Sequence, residues 1–328
     1  MGKNLAIICL LLLLCGCAKP EPPAPTLPPT APTVAETQPP VTMPPAVESE
    51  AAALVEAPPP PVGVVLEALP SGEKEERSAD AVIDYSHTED GYIMARYTTA
   101  TDKRLKLRVI GPTTVYTYNL PVDQWTVFPL SDGNGSYQVA IYINTHDTKY
   151  AAVMVAQFEV ALSDEFAPFL RPNQYVDYSE AENTVAMGAE LCYGLSHPLE
   201  KVAAVYDYVV GALEYDYDRA ATVKSGYLPV LDDVLFEKKG ICFDYAALMT
   251  AMLRSQEVPC KLVVGYAGDI YHAWISVWTE ENGWVDGAIF FDGHAWKRMD
   301  PTFASSGHRS AEIMEYIENG NYTVKYLY

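Results

Sequence analysis

The chain has 328 residues, 43 acidic and 22 basic, and a formal net charge of −21. Hydrophobic residues make up 49%, enough for a sizeable core and too many for a wholly disordered chain. So acidic a balance argues against a nucleic-acid backbone or an anionic lipid surface as the main partner, because both favour basic patches.

At the N-terminus, Lys3 supplies one positive charge and Leu5 to Leu14 is an unbroken apolar run. Such a run has the length of an export-signal core and falls short of the ~20 residues a spanning helix needs. It closes in Leu14-Cys15-Gly16-Cys17, which resembles the lipobox of bacterial lipoproteins. That resemblance implies a signal peptide over 1–17, cleavage before Cys17 and a lipid anchor on the Cys17 thiol. The plainer alternative is an ordinary signal peptide with incidental cysteines. With the anchor, the chain is expected on the outer side of the cell membrane.

Residues 18–77 hold 16 of the 25 prolines, with Ala, Thr, Val and Glu between them and no aromatic residue. Such a segment buries too little apolar surface to offset its chain entropy. A disordered, extended, proline-rich linker is expected, acting as a stalk.

From residue 78 the composition becomes strand-like. Tyr92–Tyr97, Leu105–Ile110, Thr114–Leu120, Tyr137–Ile143 and Ala151–Val160 are rich in Val, Ile, Tyr and Thr, and Gly111-Pro112 and Asp132-Gly133-Asn134-Gly135 separate them as turns. An antiparallel, immunoglobulin-like β-sandwich is expected over 78–162. Tyr137, just after a turn, resembles a tyrosine corner. His87 and His146 read as surface or turn residues.

Residues 163–328 read as an α+β domain. Helices are expected over Ser179–Tyr193, His197–Leu213 and Cys242–Arg254, with Val202, Val205, Tyr206 and Val209 forming a helical stripe in the second. Strands follow at Lys261–Tyr266, Tyr271–Trp278 and Trp284–Phe291. A helix near Ser310–Glu318 and a strand near Tyr322–Leu327 close the chain.

With the signal removed and Cys17 lipidated, three thiols stay: Cys192, Cys242 and Cys260. An odd number leaves one unpaired within the chain. Cys242 follows Lys238-Lys239-Gly240-Ile241 and opens a helix, where unpaired N–H groups, the helix dipole and nearby lysines favour thiolate, the nucleophilic form. A thiolate catalyst needs an acid/base partner and a group that orients that partner. His272 and Asp300 lie downstream on or beside strands. Singly, each has an ordinary structural role; together, in this order, they are far more specific.

The segments Gly240-Ile241-Cys242-Phe243-Asp244-Tyr245-Ala246, Val258-Pro259-Cys260, His272-Ala273-Trp274 and Asp300-Pro301-Thr302 together resemble the bacterial transglutaminase-like family. The resemblance spans roughly 180–305. It implies a papain-like core in which Cys242 is the nucleophile, His272 the general base and acid, and Asp300 the group that orients His272. The implied chemistry is attack on a peptide or protein amide to give an acyl-thioester, then hydrolysis or acyl transfer. Phe243 stands where animal transglutaminases carry a tryptophan, so both outcomes stay open.

No calcium-loop signature is present, and neither a metal nor a cofactor is expected. Glu214-Tyr215-Asp216-Tyr217-Asp218 and Asp232-Asp233 could offer carboxylates to a metal but read as helix-ending acidic surface. Trp274, Trp278, Trp284 and Trp296 either line a substrate groove or belong to the core. His294 and His308 are alternative bases. Cys192 and Cys260 form either a disulfide or two buried thiols. The functional expectation is a surface-tethered, cysteine-dependent enzyme acting on peptide or protein amides outside the cell. The alternative is a non-catalytic binding or scaffold lipoprotein that keeps the fold.

Overall fold

Alternation of apolar and polar residues builds the first part of the fold. In Leu105–Ile110 the buried side chains are Leu105, Leu107 and Val109, every second residue, so one strand face meets the core. The computed structural model describes residues 62–281, 283–286, 289–291, 296–298 and 322–328. Strands β1 (Glu75–Arg77), β2 (Ala81–Asp84), β3 (Tyr92–Tyr97), β4 (Leu105–Ile110), β5 (Val115–Asn119), β6 (Thr126–Pro129), β7 (Gly135–His146) and β8 (Lys149–Val160) come first. They form two antiparallel four-stranded sheets, ordered β1-β2-β3-β6 and β5-β4-β7-β8.

Aromatic contacts join the two sheets as the sandwich expected from sequence. Tyr118 of β5 meets Phe128 of β6 edge-on with centroids 5.1 Å apart, and Tyr85 stacks on Phe158 of β8 at 5.0 Å. Such pairs add to the burial of two large side chains. The Tyr137 hydroxyl donates to the carbonyls of Gly133 (2.9 Å) and Leu130 (3.3 Å), a bond back to the preceding turn as in a tyrosine corner. His87 pairs with Asp90 at 3.0 Å, and His146 ends β7 on the surface.

The second part continues with α1 (Glu182–Leu191), α2 (Pro198–Ala212), β9 (Glu214–Tyr215), α3 (Tyr217–Thr222), α4 (Leu231–Glu237), β10 (Lys239–Gly240) and α5 (Cys242–Arg254). Strands β11 (Cys260–Ala267), β12 (Ile270–Thr279), β13 (Gly283–Asp286), β14 (Ile289–Phe291), β15 (Trp296–Arg298) and β16 (Tyr322–Leu327) follow. Helix α5 lies against an antiparallel sheet ordered β13-β12-β11-β16, and α1, α2 and α4 pack on α5. This is the α+β core expected from sequence. Every residue of α5 from Asp244 to Arg254 is buried. Full burial of each Leu or Met there contributes ~1.5–3 kcal/mol.

Charge at the far end of α5 is buried too. The Arg254 guanidinium donates to the carbonyls of Cys260 (2.8 Å), Arg171 (2.7 Å) and Tyr328 (2.7 Å), which satisfies a cation that would otherwise be costly in the interior. Residues leading into β1 also lie against the body: Val64 N–H donates to Ser255 O at 2.8 Å. The expected helix at 310–318 lies outside the described residues, as does the chain through residue 61.

Candidate active site

Local chemistry explains why a helix begins at Cys242. Lys239–Gly240 pairs in parallel with Glu214–Tyr215, and Ile241 stays extended, with φ −97° and ψ 175°. Asp244, three residues further on, turns its Oδ2 back to accept the Ile241 N–H at 2.7 Å. That is the returning half of a capping box, and it satisfies one N–H that the helix itself leaves open. Gly240 is required by closeness: a Cβ there would come within 2.6 Å of the Asp244 Cβ. Cys242 is therefore the first residue of α5, where the helix dipole presents its positive end.

His272 sits on β12, directly opposite Gly265 of β11, and is almost wholly buried. Cys242 and His272 line one cavity of about 610 Å³. Tyr175, Tyr227, Phe243 and Tyr271 form much of its wall. Burial pushes the Tyr271 phenol up, with tyrosines and then Cys242 as neighbouring charges in the same direction. Lys224 is the one Lys, Arg, Asp or Glu among the described residues lining the cavity. Asp300, Cys17, His294 and His308 lie outside the described residues.

Behind the cavity runs a polar network that takes in Asp216, which the sequence reads as helix-ending acidic surface. Tyr227 donates its hydroxyl to Asp244 Oδ1 at 2.6 Å. Arg219 lies 3.6 Å from Asp244 Oδ2, 3.6 Å from Asp216 and 3.4 Å from Glu237. Asp216 does not end a helix: it is the N-cap of α3 and accepts the Arg219 N–H at 3.0 Å. Its carboxyl is held low by that backbone bond, which outweighs desolvation, and by Lys239 and Arg219. Lys239 is thus engaged 3.3 Å from Asp216, while Lys238 adopts the left-handed C-cap of α4. Asp232 likewise bonds the start of α1 rather than facing solvent as a helix end.

The other thiols take no part in the cavity. Cys192 and Cys260 are two buried free thiols, not a disulfide. Burial pushes the Cys260 thiol up to about 11 and raises Cys192 as well. Trp274 is buried, and Trp278 and Trp284 pack on Phe166 and Phe169 with centroids 4.5 and 5.3 Å apart; none of the three lines the cavity. The Trp296 side chain lies outside the described residues. The aromatic wall instead comes from tyrosines and Phe243, of which Tyr175 and Tyr227 carried no sequence signal.

Part of the chain is similar in sequence to known proteins. The chain is 29% identical over 124 residues to the uncharacterized protein YebA of Bacillus subtilis, covering 32% of this chain and 17% of that one. It is 28% identical over 106 residues to the protein-glutamine gamma-glutamyltransferase of Pseudomonas aeruginosa, covering 28% and 14%. The chain thus spans about a sixth of the length of these curated relatives. Among solved structures it matches red sea bream transglutaminase with a TM-score of 0.27 and 13% identity, over 71% of this chain and 56% of that one. A family model described as the transglutaminase-like superfamily matches residues 186–287. Those residues form a transglutaminase-like domain.

Proposed function

We propose that the chain is a cysteine-dependent enzyme acting on peptide or protein amides, with Cys242 as nucleophile, His272 as general base and acid, and Asp300 orienting the imidazole. The observation that carries this reading is the single cavity shared by Cys242 and His272. His272 takes the Cys242 proton as Sγ bonds the amide carbonyl carbon. The C–N bond then breaks, and the imidazolium gives its proton to the departing amine. The acyl-thioester passes its acyl group to water or to a primary amine, with His272 taking the attacking group's proton. Positive potential at the α5 N-terminus suits the charge that develops at this step. A lipid on Cys17 would tether the chain to the outer side of the membrane, and the proline-rich segment would act as a stalk that holds the catalytic part off it.

The test offers the full-length protein dimethylated casein with and without monodansylcadaverine. Dansyl incorporation identifies a transferase, cleavage or deamidation a hydrolase. Cys242→Ala is expected to abolish either product. No product from the wild type, together with iodoacetamide labelling of Cys242 no faster than that of Cys192 and Cys260, points to the non-catalytic scaffold. Loss of palmitate incorporation in Cys17→Ala tests the anchor.

A further inference from the structure

One wall of the Cys242–His272 cavity is not part of the transglutaminase-like domain. Asn119, the last residue of β5 in the sandwich, lines it. β5 is the edge strand of its sheet, so its end is open to a neighbour. Asn119 is fixed from three sides. Its backbone N–H donates to Gln174 Oε1 at 3.1 Å, and Gln174 Nε2 donates back to Asn119 O at 2.8 Å. Lys106, opposite it in β4, donates from Nζ to Asn119 Oδ1 at 2.6 Å.

The Lys106 contact settles the amide orientation. An ammonium has donors and no acceptor, so the atom it meets is the amide oxygen. The Nδ2 donors therefore face the other way. A Cβ built on Gly226 would lie 3.5 Å from Asn119 Nδ2, so the amide nitrogen faces Gly226, which lines the same cavity. Among the described residues no hydrogen bond engages Nδ2. Next to Asn119, Tyr175 carries the junction into the core: it stacks on Tyr328 at 3.9 Å, meets Tyr118 of the sandwich edge-on at 5.6 Å and tilts against Phe243 at 5.9 Å.

We infer that the β-sandwich forms part of the substrate cleft and that Asn119 Nδ2 donates a hydrogen bond to a backbone carbonyl of a bound peptide segment. This rests on the cavity being the substrate site proposed above. An extended peptide suits the cleft because its carbonyls need donors once they leave water. Asn119 supplies a neutral, pre-oriented donor. The sandwich is then a substrate-binding part of the enzyme, not only a spacer between stalk and catalytic domain.

The test measures binding of a fluorescein-labelled digest of β-casein to the full-length protein by anisotropy, in a Cys242→Ala background that stops turnover. Asn119→Asp keeps an oxygen for Lys106 and the backbone exchange with Gln174, and replaces only the Nδ2 donor. Asn119→Ala removes the donor without adding charge. Both are expected to raise Kd about five- to tenfold, the loss of one hydrogen bond. Unchanged binding in either variant, with melting temperatures equal to the parent, overturns the inference. So does failure of the Cys242→Ala parent to bind any casein peptide. Asn119-dependent binding in a protein whose wild type yields no product upholds the cleft and sinks only the role of Cys242.

Discussion

The Tyr227 hydroxyl donates to Asp244 Oδ1 at 2.6 Å, and so fastens the chain after α3 to the first turn of the helix that begins at Cys242. Asp244 is fully buried and its other oxygen already accepts the Ile241 N–H. Tyr227→Phe leaves Oδ1 without this donor while keeping the ring that lines the cavity. A buried acceptor that loses a donor costs ~1–3 kcal/mol. Urea unfolding is expected to show a loss in that range. An unchanged midpoint and slope would mean that the bond contributes nothing net.

Asp244 also sets a pH dependence whose sign is fixed. Burial raises its carboxyl above the ordinary 3.8, against the hydrogen bonds from Tyr227 and Ile241 and the Arg219 charge. The folded chain therefore holds this proton more tightly than the unfolded chain. The group's contribution to stability is fully present below 3.8 and is lost as pH rises through the folded value. Asp244→Asn has no such titration. From about pH 4 to about pH 7, wild-type stability relative to Asp244→Asn is expected to fall and then level off. A relative stability that climbs over this range would reverse the assignment.

Asp232 caps a helix it does not belong to. Ala181, the residue before α1, makes no side-chain cap. Asp232, on α4, accepts instead from the backbone N–H of Asn183 (3.1 Å) and Thr184 (2.8 Å), and from the side chains of both at 2.8 and 2.7 Å. Burial alone would raise its carboxyl, but these four bonds outweigh it and lower it. Asp232→Ala is expected to cost ~2 kcal/mol at neutral pH. Because the folded value is depressed, the contribution is present above 3.8 and lost as pH falls through the folded value. The gap between wild type and variant in thermal melts should therefore narrow in acid. A gap independent of pH would assign the loss to packing.

The roles of Asp232 and Asp244 mark where sequence reading ran out. Helix α5 was legible from Cys242 to Arg254 because Ala246, Leu248, Met249, Met252 and Leu253 make it a mostly apolar run, and a helix apolar on nearly every side is buried on every side. The strand at Leu105 was legible from its period of two, and the one at Tyr92, buried at four residues in succession, from strand-favouring composition. Asp244 stands three residues after Ile241, the offset of a capping box, so its signal was present in Gly240-Ile241-Cys242-Phe243-Asp244. Asp232 carried none, since the N–H groups it serves lie about fifty residues away in the chain. Asn119 and Tyr175 reach the cavity only because two sheets and a helix pack side by side, and no local pattern encodes that. Val64 was hidden for another reason: proline content says where a chain resists folding, not where it lies against something already folded.

Gly265 tests whether the strand beneath His272 can tolerate a side chain. It pairs with His272 across β11 and β12, and it sits at the register shift where β16 joins β11. A Cβ at this position would overlap the Thr323 carbonyl oxygen and come within 2.8 Å of the Trp274 ring. Backbone cannot swing aside as a flexible side chain can, so Gly265→Ala must push β16 away or tilt β12. Overpacking of this kind typically costs ~1–3 kcal/mol. The displaced pair is the one that carries His272, so product formation on casein should fall by more than the folded fraction does at the assay temperature. Activity that simply follows the folded fraction in a melt would mean that the strain is absorbed by β16, leaving the imidazole where it was.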